Sequence, residues 1–151
     1  MMRLGSFFGV VLMSLSLVML GGFAESASGD DWKLFYESPD GSKSYYNMNI
    51  RKEKDVIQAR TRDFASDSQK KRILEMREKN RQPVGGWDKL SYIEWLTEID
   101  CNGKRARALK GASYDSGGKV LDSSPPEWKA EWKNVPPGTV IENLFKNVCS
   151  P

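Results

Sequence analysis

No histidine occurs anywhere in the 151 residues. That absence removes the commonest general base, every Ser-His or Cys-His nucleophile pair, and the commonest transition-metal ligand. Cysteine is nearly as scarce, with Cys101 and Cys149 alone, and two thiols so far apart give no zinc spacing. A dominant charge of one sign is missing too: 23 Lys and Arg against 20 Asp and Glu leave a formal +3. Dedicated nucleic-acid binders carry a much stronger basic footprint, so nucleic acid is not an expected partner. There is no internal repeat, no low-complexity tract and no phosphate-cradling glycine loop after a strand.

One long apolar run is present. Residues 4–23 carry no charge, follow Arg3, and pass through Phe7–Leu20 into Gly21, Gly22, Phe23 and Ala24. A basic start, an apolar core and a small-x-small site form a secretory signal, with cleavage expected after Ala24 or, alternatively, after Ser26. The run is just long enough to cross a bilayer. Ser14 and Ser16 interrupt it, however, and a small-residue site follows directly. The expected organisation is a signal peptide over 1–24, a short linker over 25–31 and one domain over 32–149, with no stable transmembrane anchor after cleavage. No cysteine stands near the cleavage site, so a lipid anchor is not expected. Cleavage removes one base, Arg3, and no acid, which lowers the charge from +3 to +2. The expected location is the periplasm or the cell exterior, where a Cys101–Cys149 pair forms a disulfide. No cofactor or metal is expected.

The mature chain alternates strand patterns with turn chemistry. A first strand, Trp32 to Glu37, leads into Ser38-Pro39-Asp40-Gly41-Ser42, where Pro presets φ and Gly accepts a positive one. Strands over Ser44–Met48 and Val56–Phe64 follow, separated by the polar turn 51–55. In the latter, Ile57, Ala59 and Thr61 share one face while Gln58, Arg60 and Arg62 share the other. Ser66-Asp67-Ser68-Gln69 offers a capping-box start for a surface helix near 67–81, with Ile73, Leu74 and Met76 to bury and Pro83 and Gly85-Gly86 beyond its end.

Asn102-Gly103 then separates two strand runs, Ser91–Cys101 and Lys104–Leu109, a strong hairpin signal. A two-residue loop there pairs Asp100 with Arg105, Ile99 with Ala106, Glu98 with Arg107 and Thr97 with Ala108. Opposite charges face each other on one side and apolar residues on the other, so a slip of one residue destroys both matches. After the turn at Asp115-Ser116-Gly117-Gly118 comes a short strand, Lys119 to Asp122. Thr139-Val140-Ile141-Glu142 opens a last helix whose Ile141, Leu144, Phe145, Val148 and Cys149 form one stripe. The fold class is therefore α+β: an antiparallel sheet of about six strands, a C-terminal helix packed on one face and tethered by the disulfide, and the inserted surface helix. Bridging Cys101 to Cys149 lays the last helix across the sheet.

From Glu98 onward the motifs Glu98-Ile99-Asp100-Cys101, Lys104-Arg105-Ala106-Arg107, Tyr114-Asp115, Gly118-Lys119-Val120, Trp132, Pro137-Gly138-Thr139 and Val148-Cys149 together resemble the surface-adhesin protein E family of exported bacterial proteins. The resemblance covers about Trp32 to Cys149. It implies a curved antiparallel sheet with a disulfide-held C-terminal helix, and adhesion to host matrix and serum proteins.

Several constellations compete for a function. Ser68-Gln69-Lys70-Lys71 matches S-x-x-K but lacks its companion motifs and starts a polar helix. Glu94, Glu98 and Asp100 share a strand face and imitate a glycosidase pair, yet cross-strand arginines account for them. No catalytic residues are assigned and an enzyme is not expected. Binding is better served. Lys70, Lys71, Arg72, Arg77, Lys79 and Arg81 outnumber Asp67, Glu75 and Glu78 on the inserted helix, a patch suited to an anionic glycan, lipid head groups or an acidic protein face. Trp87 and Trp128 lie in loop-like stretches where exposed rings can stack on a ligand. The expectation is a non-enzymatic, adhesin-like envelope protein whose partner is an extracellular or envelope protein or an anionic glycan. The alternative is a structural or stress-related periplasmic protein with no surface ligand.

Overall fold

The computed structural model describes residues 31–150. The expected signal peptide lies outside the described residues, as does all of the expected linker except Asp31. Alternating burial places the strands as the residue pattern predicts: Ile57, Ala59 and Thr61 are buried on one face of a strand. In chain order the elements are β1 (Trp32–Glu37), β2 (Lys43–Asn47), β3 (Arg51–Glu53), β4 (Val56–Phe64), α1 (Asp67–Lys79), a 3-10 turn (Trp87–Lys89), β5 (Leu90–Asp100), β6 (Arg105–Asp115), β7 (Val120–Ser123), β8 (Lys133–Asn134) and α2 (Val140–Cys149). One antiparallel sheet runs β1-β2-β4-β5-β6-β7, with β3 on β4 and β8 on β6.

The β5–β6 register is the one the charges dictate: Asp100 opposes Arg105, Ile99 opposes Ala106, Glu98 opposes Arg107 and Thr97 opposes Ala108. The turn differs from expectation. Four residues, Cys101–Lys104, close it, and the left-handed residue is Lys104 with φ 49° rather than Gly103. A Cβ at Gly103 would stand 2.9 Å from Arg105 Nε and Asp100 Cγ, so a side chain there displaces the ion pair that closes the hairpin. Two further expectations are corrected. Residues 51–55 form a tight hairpin with Lys54 at φ 55° rather than a plain turn. The strand expected to end at Leu109 continues to Asp115 through a register shift opposite Leu96 and Thr97.

Tyr46, Ile57, Ile99, Ala106, Leu144 and Val148 form the core, flanked by Phe35, Val135, Ile141, Phe145 and both cysteines. The Cys101–Cys149 disulfide spans 5.6 Å between Cα atoms and holds α2 across the sheet. Thr139 caps α2 by accepting the Glu142 amide at 3.3 Å, while Glu142 reaches back to the Gly138 amide at 2.8 Å. At the other helix, Ser66 caps by accepting the Gln69 amide. The buried residue of α1 is Arg77, and Met76, expected to be buried, faces solvent. The helix stops at Lys79, and Arg81 beyond it adopts a left-handed φ of 54°.

Candidate functional site

The basic residues of α1 do not form one open patch. Lys70 contacts Asp67 at 3.5 Å, Lys71 contacts Glu75 at 4.0 Å, and Arg72 reaches Asp40 in the β1–β2 turn at 2.9 Å. That turn holds the Asp40 carboxyl well below the usual range through the Ser38 hydroxyl first, then Arg72. Lys79 and Arg81 are exposed and have no ion-pair partner among the described residues.

Arg77 and Trp87 leave the list of exposed binding residues. They are 9 % and 5 % exposed and meet each other, with the guanidinium 3.7 Å from the ring centroid. Arg77 Nε also donates to the Pro83 carbonyl at 2.8 Å, and its Nη1 lies 3.4 Å from Asp122 of β7. A desolvated cation over an indole face is favourable enough to clamp α1 and its following loop onto the sheet. Trp128, by contrast, is 39 % exposed, as expected.

On the face that bears α2 a groove crosses the sheet, bounded in one half by Gln69 and Arg72 of α1 and Val140 of α2, and in the other by Gln82 and the stretch through Pro125 and Trp128. Its floor is Ile93 and Trp95 of β5, shared by two halves of about 590 and 640 Å³. Gly111, Ser113, Asp122, Ser124 and Trp128 line one half. Ser44, Asp63, Gln69, Arg72 and Val140 line the other. Asp63 Oδ1 is buried with no hydrogen-bond partner. Burial raises the Asp63 carboxyl above the usual range, and the Ser44 hydrogen bond only partly offsets this.

The opposite face carries neither the α2 core nor the groove. Across it runs an apolar row contributed by β1, β2, β4, β5, β6 and β7: Leu34 opposes Tyr45, Phe64 opposes Tyr92, Tyr92 opposes Tyr114, and Tyr114 opposes Val120. Ring centroids along it are spaced 5.6, 5.4 and 4.9 Å from Tyr45 through Phe64 and Tyr92 to Tyr114. Leu34, Phe64 and Val120 are 42, 38 and 48 % exposed. Sequence reasoning missed this row, although Phe64 falls in period-two alternation with Arg60 and Arg62, and Tyr92 with Glu94 and Glu98, which put a ring on the polar side of each strand.

Beside the row lie paired charges. Arg62 sits between rings, 4.2 Å from the Trp32 centroid and 5.1 Å from that of Tyr92, and donates to Glu94 at 2.9 Å. Arg60 takes the other Glu94 oxygen at 2.8 Å. Glu98 accepts from Arg107 at 2.7 Å and from Gln58 at 3.0 Å, and Asp100 accepts from Arg105 at 2.7 Å. Burial pushes the Glu98 carboxyl up, but the Gln58 and Arg107 hydrogen bonds outweigh it and leave the group lowered. Asp100 is held low by the Gly103 amide and by Arg105. The three carboxylates singled out from the sequence are thus each tied to arginine, Glu94 to Arg60 and Arg62 rather than to the β6 arginines.

Compared with known protein families, residues 32–150 match the family model for surface-adhesin protein E. No curated protein and no solved structure matches the chain.

Proposed function

Because the chain belongs to the surface-adhesin protein E family, we propose that it is an exported, non-enzymatic binding protein of the cell envelope that holds an extracellular or envelope protein against the open face of its sheet. In this reading the signal peptide is removed near Ala24 and the domain acts in the periplasm or outside the cell. The observation that carries it is the uninterrupted row from Leu34 to Val120. Exposed apolar side chains are ordinary when scattered, but a contiguous aromatic row rimmed by polar groups is the composition of a protein interface. The neighbouring arginines and carboxylates neutralise one another, which suits a rim of matched hydrogen bonds rather than a strongly charged ligand. Lys70, Lys71, Arg72, Lys79 and Arg81 lie on another surface and contribute long-range attraction to an acidic partner.

The test is surface plasmon resonance of the mature protein over a panel of immobilised extracellular-matrix and serum proteins. At least one partner is expected to bind, with affinity falling by about tenfold or more in Phe64→Ser/Val120→Ser, the scale of one interface hot spot. Charge reversal at Lys70 and Lys71 should lower the association rate at low salt and leave dissociation unchanged. No capture by any panel member, or capture indifferent to Phe64→Ser/Val120→Ser in a variant with native circular dichroism, overturns the reading.

A further inference from the structure

The groove on the helix-bearing face has a different chemistry from the open row. Trp95 is its centre, common to the floor of both halves. Three adjacent ring atoms of Trp95, Cε3, Cζ3 and Cη2, lie within 3.0 Å of where a Cβ on Gly111 would stand. The indole therefore lies on the β6 backbone at its cross-strand partner, where only glycine leaves room. Trp128 supplies a second, exposed ring in one wall. Between and beyond the rings the lining mixes polar side chains, Ser113, Ser124 and Asp122 on one side and Ser44, Gln69 and Asp63 on the other, with apolar ones such as Ile93, Pro125 and Val140.

The ion-paired charges in this lining are engaged already, Arg72 on Asp40 and Asp122 on Arg77. Asp63 Oδ1 has no partner, but burial favours its uncharged form, so no strong field of either sign selects an ionic ligand. The floor strands are hydrogen-bonded on both sides, β5 to β4 and β6, and β6 to β5 and β7. An extended peptide finds no free ladder to join on that floor. What remains is a site for an uncharged ligand with flat apolar faces and many hydroxyls. A pyranose has that character: its C–H face packs on an indole while its hydroxyls exchange hydrogen bonds with serine, amide and carboxylate side chains. The volume of each half falls within the range of about 300–1,000 Å³ usual for ligand pockets, and two halves meeting at one ring suit a short chain of sugars rather than one.

We propose that the groove over Trp95 on the helix-bearing face binds a neutral oligosaccharide, with Trp95 and Trp128 as stacking platforms. This site lies on the other face from the protein-binding row and shares only Phe64 with it, at the edge of one half. The test is titration of the full mature protein with N-acetylchitotetraose, cellotetraose and maltotetraose, followed by tryptophan fluorescence and calorimetry. At least one is expected to give a saturable response. Trp128→Ala, at an exposed position, should weaken it about tenfold, and Trp128→Phe should restore most of the loss, because a stacked ring is the element removed. Leu34→Ser/Val120→Ser, at two row positions that do not line the groove, should leave sugar binding unchanged, which separates this site from the protein interface. Absence of a saturable response to all three sugars, a response unaltered in Trp128→Ala, or saturation only by an unrelated control such as tetra-alanine overturns the proposal.

Discussion

Asp63 is the residue whose environment conflicts most with its chemistry. Its Oδ1 is buried without a partner beside the groove, and burial raises its pKa against the opposing Ser44 hydrogen bond. A carboxyl whose folded pKa exceeds its unfolded one binds its proton more readily in the native state. Stability is therefore fullest in acid and declines as pH rises from the ordinary aspartate range through the raised folded value. Asp63→Asn removes that ionisation. The variant is expected to melt higher than the parent at neutral pH, with the gain vanishing below the ordinary aspartate range, as followed by thermal denaturation across pH. Equal melting temperatures at neutral pH would show that a rearranged side chain or a water already satisfies the charge. Glu98 and Asp100 act with the opposite sign, since their lowered values cost stability only as pH falls through them.

Among the elements, α1 shows best where sequence logic succeeds and where it stops. Its cap at Ser66 and its approximate span follow from local chemistry, which a single strand of sequence contains. Its docking does not, because a helical period scored by hydrophobicity selects Met76 and passes over Arg77. The guanidinium is buried by a ring ten residues further on, Trp87, and by Pro83 and Asp122, contacts that exist only after the chain has folded. Arg77→Ala is expected to cost about 2 kcal/mol, the size of a desolvated cation–π contact, read as a lower urea midpoint. Arg77→Lys should fall between, keeping the charge but losing the planar stack. A midpoint unchanged in Arg77→Ala would show that α1 is held by other contacts. The β5–β6 hairpin was legible for the converse reason: its register rests on side chains directly opposite one another, Glu98 on Arg107 and Asp100 on Arg105. Its loop type was not, since Gly103 answers to the space taken by the Asp100–Arg105 pair. The β3 hairpin escaped because Lys54-Asp55 lacks the Asn-Gly or Gly-Gly chemistry that usually marks a two-residue turn. The groove was illegible because Trp95 fits an ordinary strand position, and only segments distant in sequence, α1, α2 and the stretch through Trp128, make it a floor.

For the molecule as a whole, the arrangement is asymmetric: helices and the buried core lie on one face of the sheet, and the aromatic row lies bare on the other. A single sheet with one covered face has a thin core, here six buried hydrophobic residues in the main cluster. Two of them, Leu144 and Val148, come from α2, so losing that helix uncovers the inner face as well. The disulfide opposes this loss. It closes a 48-residue separation that contains β6, β7, β8 and α2, and confining a loop of that length lowers the entropy of the unfolded chain enough to stabilise the fold by about 4 kcal/mol. Cys101→Ala/Cys149→Ala is expected to lose most of that amount in urea unfolding, with a steeper dependence on denaturant because the uncrosslinked chain expands further. Hydrogen exchange under native conditions should then rise first in α2 and in the β4–β5 amides beneath it, while the β6–β7 end, clamped separately by Arg77 on Asp122 and Trp87, stays protected. Exchange that rises uniformly over both ends would show instead that the sheet and its two helices open as one unit, leaving the disulfide a global constraint rather than the fastening of one helix.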